Sequence, residues 1–437
     1  MKWLSVLLTL GVCCAAEPDW PALEQHALEF LQSYVRIPSI SPPSDTAAAA
    51  RLLQAELERN GLQPHLYVSG PIGQTNLIVR LKGRDSSRKP LLLLNHLDVV
   101  PVDAKAWKVD PFGAAIQDGY IWGRGTYDMK GIGVMQLMSL IALHNAGITP
   151  SRDIVMLSTA DEEMGGQYGI QWMIAHHFDE IDAEYVLDEG GIGSREVLAP
   201  GKLMFGISVG DKIVFWLRLR AHGTAGHGSQ PIPDNANVIL MHAIEKAIAL
   251  PEGGKQNPVV EEMRRAAGGP MATNKFTSAI QRNTISLTTL TSGVGSPPKS
   301  NVIPSVAEAT LDCRLLPGTN AEEFVSEMKA RINDPRVQVE VITQAPDPPL
   351  SRSDTSLFAT MREALLHYNP GAVVTPMLVP FGTDSAYLQM RGVTAYGFTP
   401  MVIDAATAAT MHSDSERIPV SEFHKGLRIY YEVLSRW

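Results

Sequence analysis

Two periodicities of hydrophobic and polar positions run through this chain, and the switches between them mark its elements. Residues 21–34 and 46–60 have helical spacing, with Leu23, Ala27, Phe30, Leu31 and Tyr34 on one side of the first and Gly61 placed to close the second. Residues 76–82 alternate as a strand. Leu91-Leu92-Leu93-Leu94 is a continuous apolar run, the pattern of a strand covered on both faces. Residues 107–122 read as loop and hairpin, turning at Asp118-Gly119. Residues 129–144 are apolar almost all round and predict a buried helix whose methionines fill the core. Residues 153–160 and 185–187 predict two further apolar strands, and this texture implies an α/β layer architecture.

From Ile213 the pattern changes to half-exposed elements. A strand at 213–221, a helix at 235–250, strands at 284–291 and 306–315, a helix at 321–332 and a strand at 337–342 follow in the order βαββαβ. That order is ferredoxin-like. Residues 251–282 interrupt it as a polar excursion containing Gly and Pro, expected to be a mobile loop with a short helix. Beyond about Pro346 the first texture returns, with a helix at 353–368, a Gly-containing loop at 381–385 ahead of a helix, a strand at 394–398 and a last helix at 420–434. The expected fold is therefore α/β, with an α+β unit at 212–344 inserted into a larger unit formed by 17–211 and 345–437.

Composition bounds the function. A length of 437 residues suits two cores, and a net charge of -9 with no Lys/Arg cluster argues against a nucleic-acid partner. The chain opens with Met1-Lys2, an apolar run from Trp3 to Cys14, and Ala15-Ala16 before Glu17-Pro18. This reads as a secretory signal peptide over 1–16, cleaved before Glu17 and too short to span a bilayer stably. A secreted or periplasmic protein is the expectation; a lipid anchor on Cys13 competes, although Val12 is a poor residue before a lipidated Cys. With Cys13 and Cys14 removed only Cys313 remains, so no internal disulfide and no thiolate cluster can form. Any metal must be held by His, Asp and Glu.

The candidate chemistry lies where the strands run out. Leu91-Leu94 leads into Asn95-His96-Leu97-Asp98, and side chains two apart on a strand share a face, so Asp98 is placed to orient the His96 ring. The 153–160 strand delivers Asp161-Glu162-Glu163, and the 185–187 strand delivers Asp188-Glu189. Asp128 precedes the buried helix, and His412 precedes the last one. Each has an ordinary reading alone, as a turn or capping Asp, a surface His or an acidic loop at a helix start. Repetition at the carboxyl ends of strands favours a site. His96, Asp128, Glu163, one acid of the Asp188-Glu189 pair and His412 suit two Zn²⁺ ions sharing Asp128, with Co²⁺ or Mn²⁺ as alternatives. Glu162, not needed as a ligand, is free to take a proton from water and pass it to a leaving amine, which is metal-assisted amide hydrolysis.

The segments His96-Leu97-Asp98-Val99-Val100-Pro101, Gly123-Arg124-Gly125-Thr126-Tyr127-Asp128-Met129-Lys130-Gly131, Asp161-Glu162-Glu163-Met164-Gly165-Gly166, Leu187-Asp188-Glu189-Gly190 and Met411-His412-Ser413 resemble the M20 metallopeptidase family. Its members include the carboxypeptidase G2, aminoacylase-1, carnosinase and succinyl-diaminopimelate desuccinylase types. The resemblance implies a zinc-exopeptidase-like catalytic domain with an inserted lid, and His96, Asp128, Glu163, Glu189 and His412 as ligands. It further implies Glu162 as general base and Asp98 as orienter of His96. Relatives carry either acid at the position of Glu189, so Asp188 stays an alternative. Gly226-His227-Gly228-Ser229 resembles a lid loop whose His crosses a dimer to polarise the scissile carbonyl, with Gly228 standing where Ser is usual. Asn301, Arg314, and the loop Gly382 to Asp384 with its Gly382 and Thr383 resemble substrate-contacting positions, the Arg gripping a free carboxylate. The implied enzyme is a homodimer hydrolysing small peptides or N-acyl amino acids that carry a free C-terminal carboxylate. A dedicated dipeptidase, or a binding protein of the same fold with a lapsed site, are the alternatives.

Overall fold

Leu91 to Leu94 divide their side chains between two cores. In the strand Leu91–His96, Leu91 and Leu93 join the core on one face of the sheet and Leu92 and Leu94 the core on the other. All four are fully buried, each burial contributing roughly 1.5–3 kcal/mol. A computed structural model describes residues 17–249 and 257–437, so the expected signal segment lies outside the described residues.

The large sheet runs in the order His65–Val68, Thr75–Leu81, Ile154–Thr159, Leu91–His96, Tyr185–Asp188, Thr394–Gly397, Met204–Asp211, Val373–Val379. Its centre is parallel, Leu91–His96 pairing with both Ile154–Thr159 and Tyr185–Asp188, so these three strands end on one edge. Helices Trp20–Val35, Ala47–Arg59, Lys130–Asn145, Ser356–Tyr368 and Val420–Arg436 cover one face, and Ile170–His176 with Ser385–Gln389 lies on the other. The expected buried helix is Lys130–Asn145, whose Met135 and Met138 are wholly enclosed. Four strands of the large sheet escaped the pattern reading: His65–Val68, Ile192–Ser194, Met204–Asp211 and Val373–Val379, the last two pairing in parallel with a register shift at Met377/Leu378.

At Lys212 the chain passes from the large sheet into a second one. Thr284–Ser292, Val306–Leu315, Ile213–His222 and Val337–Gln344 form a wholly antiparallel sheet in that order. Helices Ala236–Ile248 and Ala321–Ile332 pack on one face over Phe215, Leu217, Leu219 and Leu311. This is the ferredoxin-like arrangement, and the fold is the expected α/β unit with an inserted α+β unit. No helix among the described residues is long and apolar enough to cross a membrane.

The excursion departs from expectation. Residues 250–256 lie outside the described residues, and where one short helix was expected the described part carries two, Pro258–Ala267 and Lys275–Ala279. Asn257 caps the first, and Val259, Val260 and Met263 bury themselves in the core of the large unit, not the small one. The reason is the apolar spacing of these three residues, which gives the helix one face to bury.

Candidate metal centre and flanking cavities

The loop carrying Asp128 is fastened from beneath by Glu416. One carboxylate oxygen, Oε1, accepts the backbone N–H groups of Gly125 at 2.9 Å, Tyr127 at 2.9 Å and Asp128 at 3.1 Å. The other pairs with Arg124 at 2.6 Å, and both side chains are buried. Gly125 sits at φ +89°, where a Cβ would also come within 2.8 Å of Val99 Cγ1. The Asp128–Met129 peptide is cis. Tyr127 and Asp128 are thus presented at the head of the buried helix.

Asp128 faces two imidazoles. Its Oδ1 lies 3.1 Å from His96 Nε2 and its Oδ2 lies 2.9 Å from His412 Nε2. Glu189 Oε1 stands 3.7 Å from the same nitrogen of His96, and Glu163 Oε1 stands 3.3 Å from that of His412. Ligand atoms of His96, Asp128 and Glu189, and of Asp128, Glu163 and His412, therefore form two groups that share Asp128. Glu162, with His96 and Glu163, forms a third such group on the same spot. Asp188 is occupied elsewhere: its carboxylate accepts Ser385 Oγ at 2.6 Å, Ser385 N at 3.2 Å and Glu189 N at 2.8 Å. Of the two adjacent acids, the structure turns Glu189 into the cluster.

Asp98 meets His96 differently from the sequence expectation. The strand ends at His96, so the two side chains do not ride one pleat. His96 Nδ1 is 2.9 Å from the main-chain carbonyl of Asp98, while Asp98 Oδ1 is 3.7 Å away. The Asp98 carboxylate instead accepts the N–H groups of Glu162 at 3.2 Å and Glu163 at 3.3 Å, together with the Ser41 hydroxyl. Ser41 leads through Ser44 to Asp161 Oδ1, a buried hydrogen-bonded chain under the acidic loop. Asp161 and His412 both adopt left-handed backbone, at φ 66° and 59°, a strain commonly found where a site dictates side-chain direction.

The electrostatics show what the cluster lacks. Burial raises the carboxyl pKa of Glu162 and Glu189 well above the usual range, with neighbouring acids adding to it. Burial alone would lower the imidazole of His412, but Asp128 and Glu163 push it up to about 10. His96 moves in the same direction, carried up against its burial by Asp128, Glu189 and Glu162. Crowded buried acids and imidazoles forced toward protonation mark an excess of negative charge. Glu163 Oε1 is also buried, and its 3.3 Å approach to His412 Nε2 lacks hydrogen-bond geometry. Imidazole and carboxylate donors with one unsatisfied buried oxygen fit divalent cations. Among the described residues the one thiol, Cys313, is buried in the small unit's core and its pKa is pushed up to about 12 by that burial, so it plays no part.

Two cavities meet at the cluster. One, of about 370 Å³, is lined by Glu162, Glu163 and His412 and by Arg314, Lys212, Gly382 and Thr383. Arg314 bonds Asp312 through Nε at 2.7 Å and one terminal nitrogen at 3.0 Å, leaving the other terminal nitrogen available. Thr383 gives both its N–H and its hydroxyl to Asp211. The other cavity, of about 420 Å³, lies on the Glu189 side and is mostly apolar. His227 and Asn301 line neither. They stand exposed on the ribbon where Gly226–His227 pairs with Val302–Ile303. Gly228 N–H bonds Asn301 O at 2.8 Å, and a Cβ on Gly228 would press that backbone at 3.3 Å. His227 Nδ1 is 2.7 Å from Ser229 Oγ.

The sequence reading missed Glu416 and the Ser41–Ser44 chain. Asp384 lines the cationic cavity, bonds Thr159 at 2.8 Å, and burial beside Asp188 raises its carboxyl pKa to about 8. It closes the Gly382–Asp384 loop that the family resemblance singles out. Glu416 had no signal beyond lying four residues past His412.

Comparison with known proteins places these features in context. The sequence profile described as Peptidase family M20/M25/M40 matches residues 92–436. A probable carboxypeptidase S-like 2 of Dictyostelium discoideum is 29% identical over 395 residues, covering 83% of this chain and 74% of that protein. Aminoacylase-1 of Sus scrofa is 28% identical over 425 residues, covering 94% and 95%. The solved structure of an M20 family metallo-carboxypeptidase from Sulfolobus solfataricus superposes with a TM-score of 0.70 at 20% identity, covering 94% of this chain and 98% of that one.

Proposed function

Because the chain belongs to the M20/M25/M40 peptidase family and is a hydrolase of that type, we propose that it cleaves the amide bond of small peptides or N-acyl amino acids bearing a free C-terminal carboxylate. The observation that carries this reading is the cavity in which Arg314, with one terminal nitrogen free of Asp312, shares walls with Glu162, Glu163 and His412. A carboxylate gripped at Arg314 sets the neighbouring amide beside the acidic loop.

His96, Asp128 and Glu189 would hold one zinc ion, and Asp128, Glu163 and His412 a second. Bound there, such cations supply Lewis acidity to water and to the scissile carbonyl. Glu162 takes the proton of the attacking water and gives it to the leaving nitrogen; the C–N bond breaks, the water oxygen stays on the acyl carbon, and the amine departs. The Asp98 carboxylate holds the backbone of Glu162 and Glu163, so it positions both the proton carrier and a ligand. Asn301 would contact substrate. His227, exposed on the small unit, would serve as carbonyl donor from a second copy in a homodimer built through that unit. Residues 17–211 with 345–437 would form the catalytic domain and 212–344 the lid, with 1–16 removed on export.

The test is hydrolysis by the zinc-loaded protein of matched substrates with a free or an amidated C-terminus. Preference for the free carboxylate supports the reading, and inactivity on every amide rejects it. A dipeptidase needs an acid to receive a free amino terminus, and among the lining residues of the apolar cavity Glu189 is the only acid, already committed to the cluster.

A further inference from the structure

The excursion lines part of the apolar cavity: Asn274, Lys275 and Phe276 border it together with Val197, Phe381, Ala408 and Met411. Phe381 alone lines both cavities, and so separates them.

The wall is tied down at both ends. Asn274 closes a capping box with Thr277 at the start of Lys275–Ala279, and its Nδ2 donates to Val197 O at 2.8 Å. Ala272 N–H bonds Leu198 O at 3.0 Å. At the far end the buried Lys212 amine donates to Ala279 O at 2.9 Å, Arg282 O at 2.8 Å and Thr284 Oγ1 at 3.0 Å. Lys212 is also the residue at which the chain leaves the large sheet, so Phe276 is fixed with respect to both units.

Direction follows from the proton. Glu162 lines the cationic cavity, and the nitrogen it protonates must lie beside it, so the amine half of the substrate, with its carboxylate, occupies that side. The acyl half then points across the cluster to the Glu189 side. There the only cation is the exposed Lys275, and Glu189 is the only acid. A charged or polar acyl group would leave its hydrogen-bonding groups unpaired against Ile192, Val197, Phe276 and Met411, whereas hydrocarbon gains by leaving water. The volume falls in the range, about 300–1,000 Å³, that receives whole ligands rather than single methyl groups.

We propose that this cavity is the acyl subsite, that it takes a hydrocarbon acyl chain longer than acetyl, and that Phe276, on its clamped helix, is the residue that sets how long a chain is accepted. The inference rests on the amide-hydrolase reading above and deepens it.

The experiment is a series of one amino acid N-acylated with acetyl, hexanoyl or dodecanoyl, assayed as kcat/KM with zinc-loaded full-length protein. The hexanoyl-to-acetyl ratio is expected to be about tenfold or more, each buried methylene adding a few-fold. Ala408→Phe, which adds bulk to the cavity lining, is expected to lower that ratio about tenfold. Phe276→Ala is expected to raise the dodecanoyl-to-hexanoyl ratio at least about threefold. Hydrolysis of acetyl substrate with a flat or falling dependence on chain length overturns this inference alone, even if neither variant folds. No hydrolysis of any member overturns the amide-hydrolase reading and this one with it.

Discussion

Glu416 Oε1 accepts the backbone N–H of Asp128 at 3.1 Å, across 288 residues of chain. Through it the last helix's approach segment fixes the residue that faces both imidazoles. Glu416→Ala would strand the buried Arg124 and three N–H groups, and is expected to cost about 3–5 kcal/mol. Denaturant unfolding checks this, with metal retention measured alongside; a variant as stable as the parent and equally retentive would show that the loop holds itself.

Glu162→Gln separates proton transfer from ligation. Zinc content is expected to stay at the parent level while turnover falls by about 10²–10⁴. Loss of metal in this variant, with retention in Glu163→Gln, would reverse the two roles.

Arg314→Ala is expected to erase the preference for a free carboxylate, about tenfold to a hundredfold in kcat/KM against the amidated substrate. The comparison of free and amidated substrates in both proteins decides it. A preference that persists transfers the carboxylate to another group in the cavity.

Asp153 gives a pH signature away from the site. Burial works against its charge, but Gly83 N–H, Ser86, Arg80 and Lys82 outweigh it and lower the carboxyl pKa from 3.8 to about 2. Its contribution is complete above 3.8 and fades as pH falls through 2. Asp153→Asn should therefore be about 1–3 kcal/mol less stable at neutral pH, with the gap closing across that window in urea titrations. A gap that does not change with pH would mean that lost hydrogen bonds, not charge, account for it.

What could be read from the chain was what is local. Leu91 to Leu94 announced a strand covered on both faces, and the residues just beyond it and its parallel neighbours sit on one sheet edge, which is why His96, Glu163 and Glu189 were legible. Met204–Asp211 and Val373–Val379 were not, because Gly206, Gly210 and Pro376 break both the alternation and the apolar run. Asp98 lies beside His96 as the spacing suggested, but the end of the strand at His96 makes the contact main-chain rather than carboxylate. The excursion carried readable signals in Asn257-Pro258 and Gly268, a helix start and stop, yet its polar flanks hid the apolar trio it buries. Glu416 is a wholly tertiary device, since no spacing links it to residues 124–128.

The shared carboxylate of Asp128 is the centre of the account, and metal stoichiometry of Asp128→Ala after zinc loading and dialysis tests it most directly. The parent is expected to hold two ions per chain, and the variant to lose both together while remaining folded by circular dichroism. A folded variant that keeps one ion at parental affinity would contradict a bridging role.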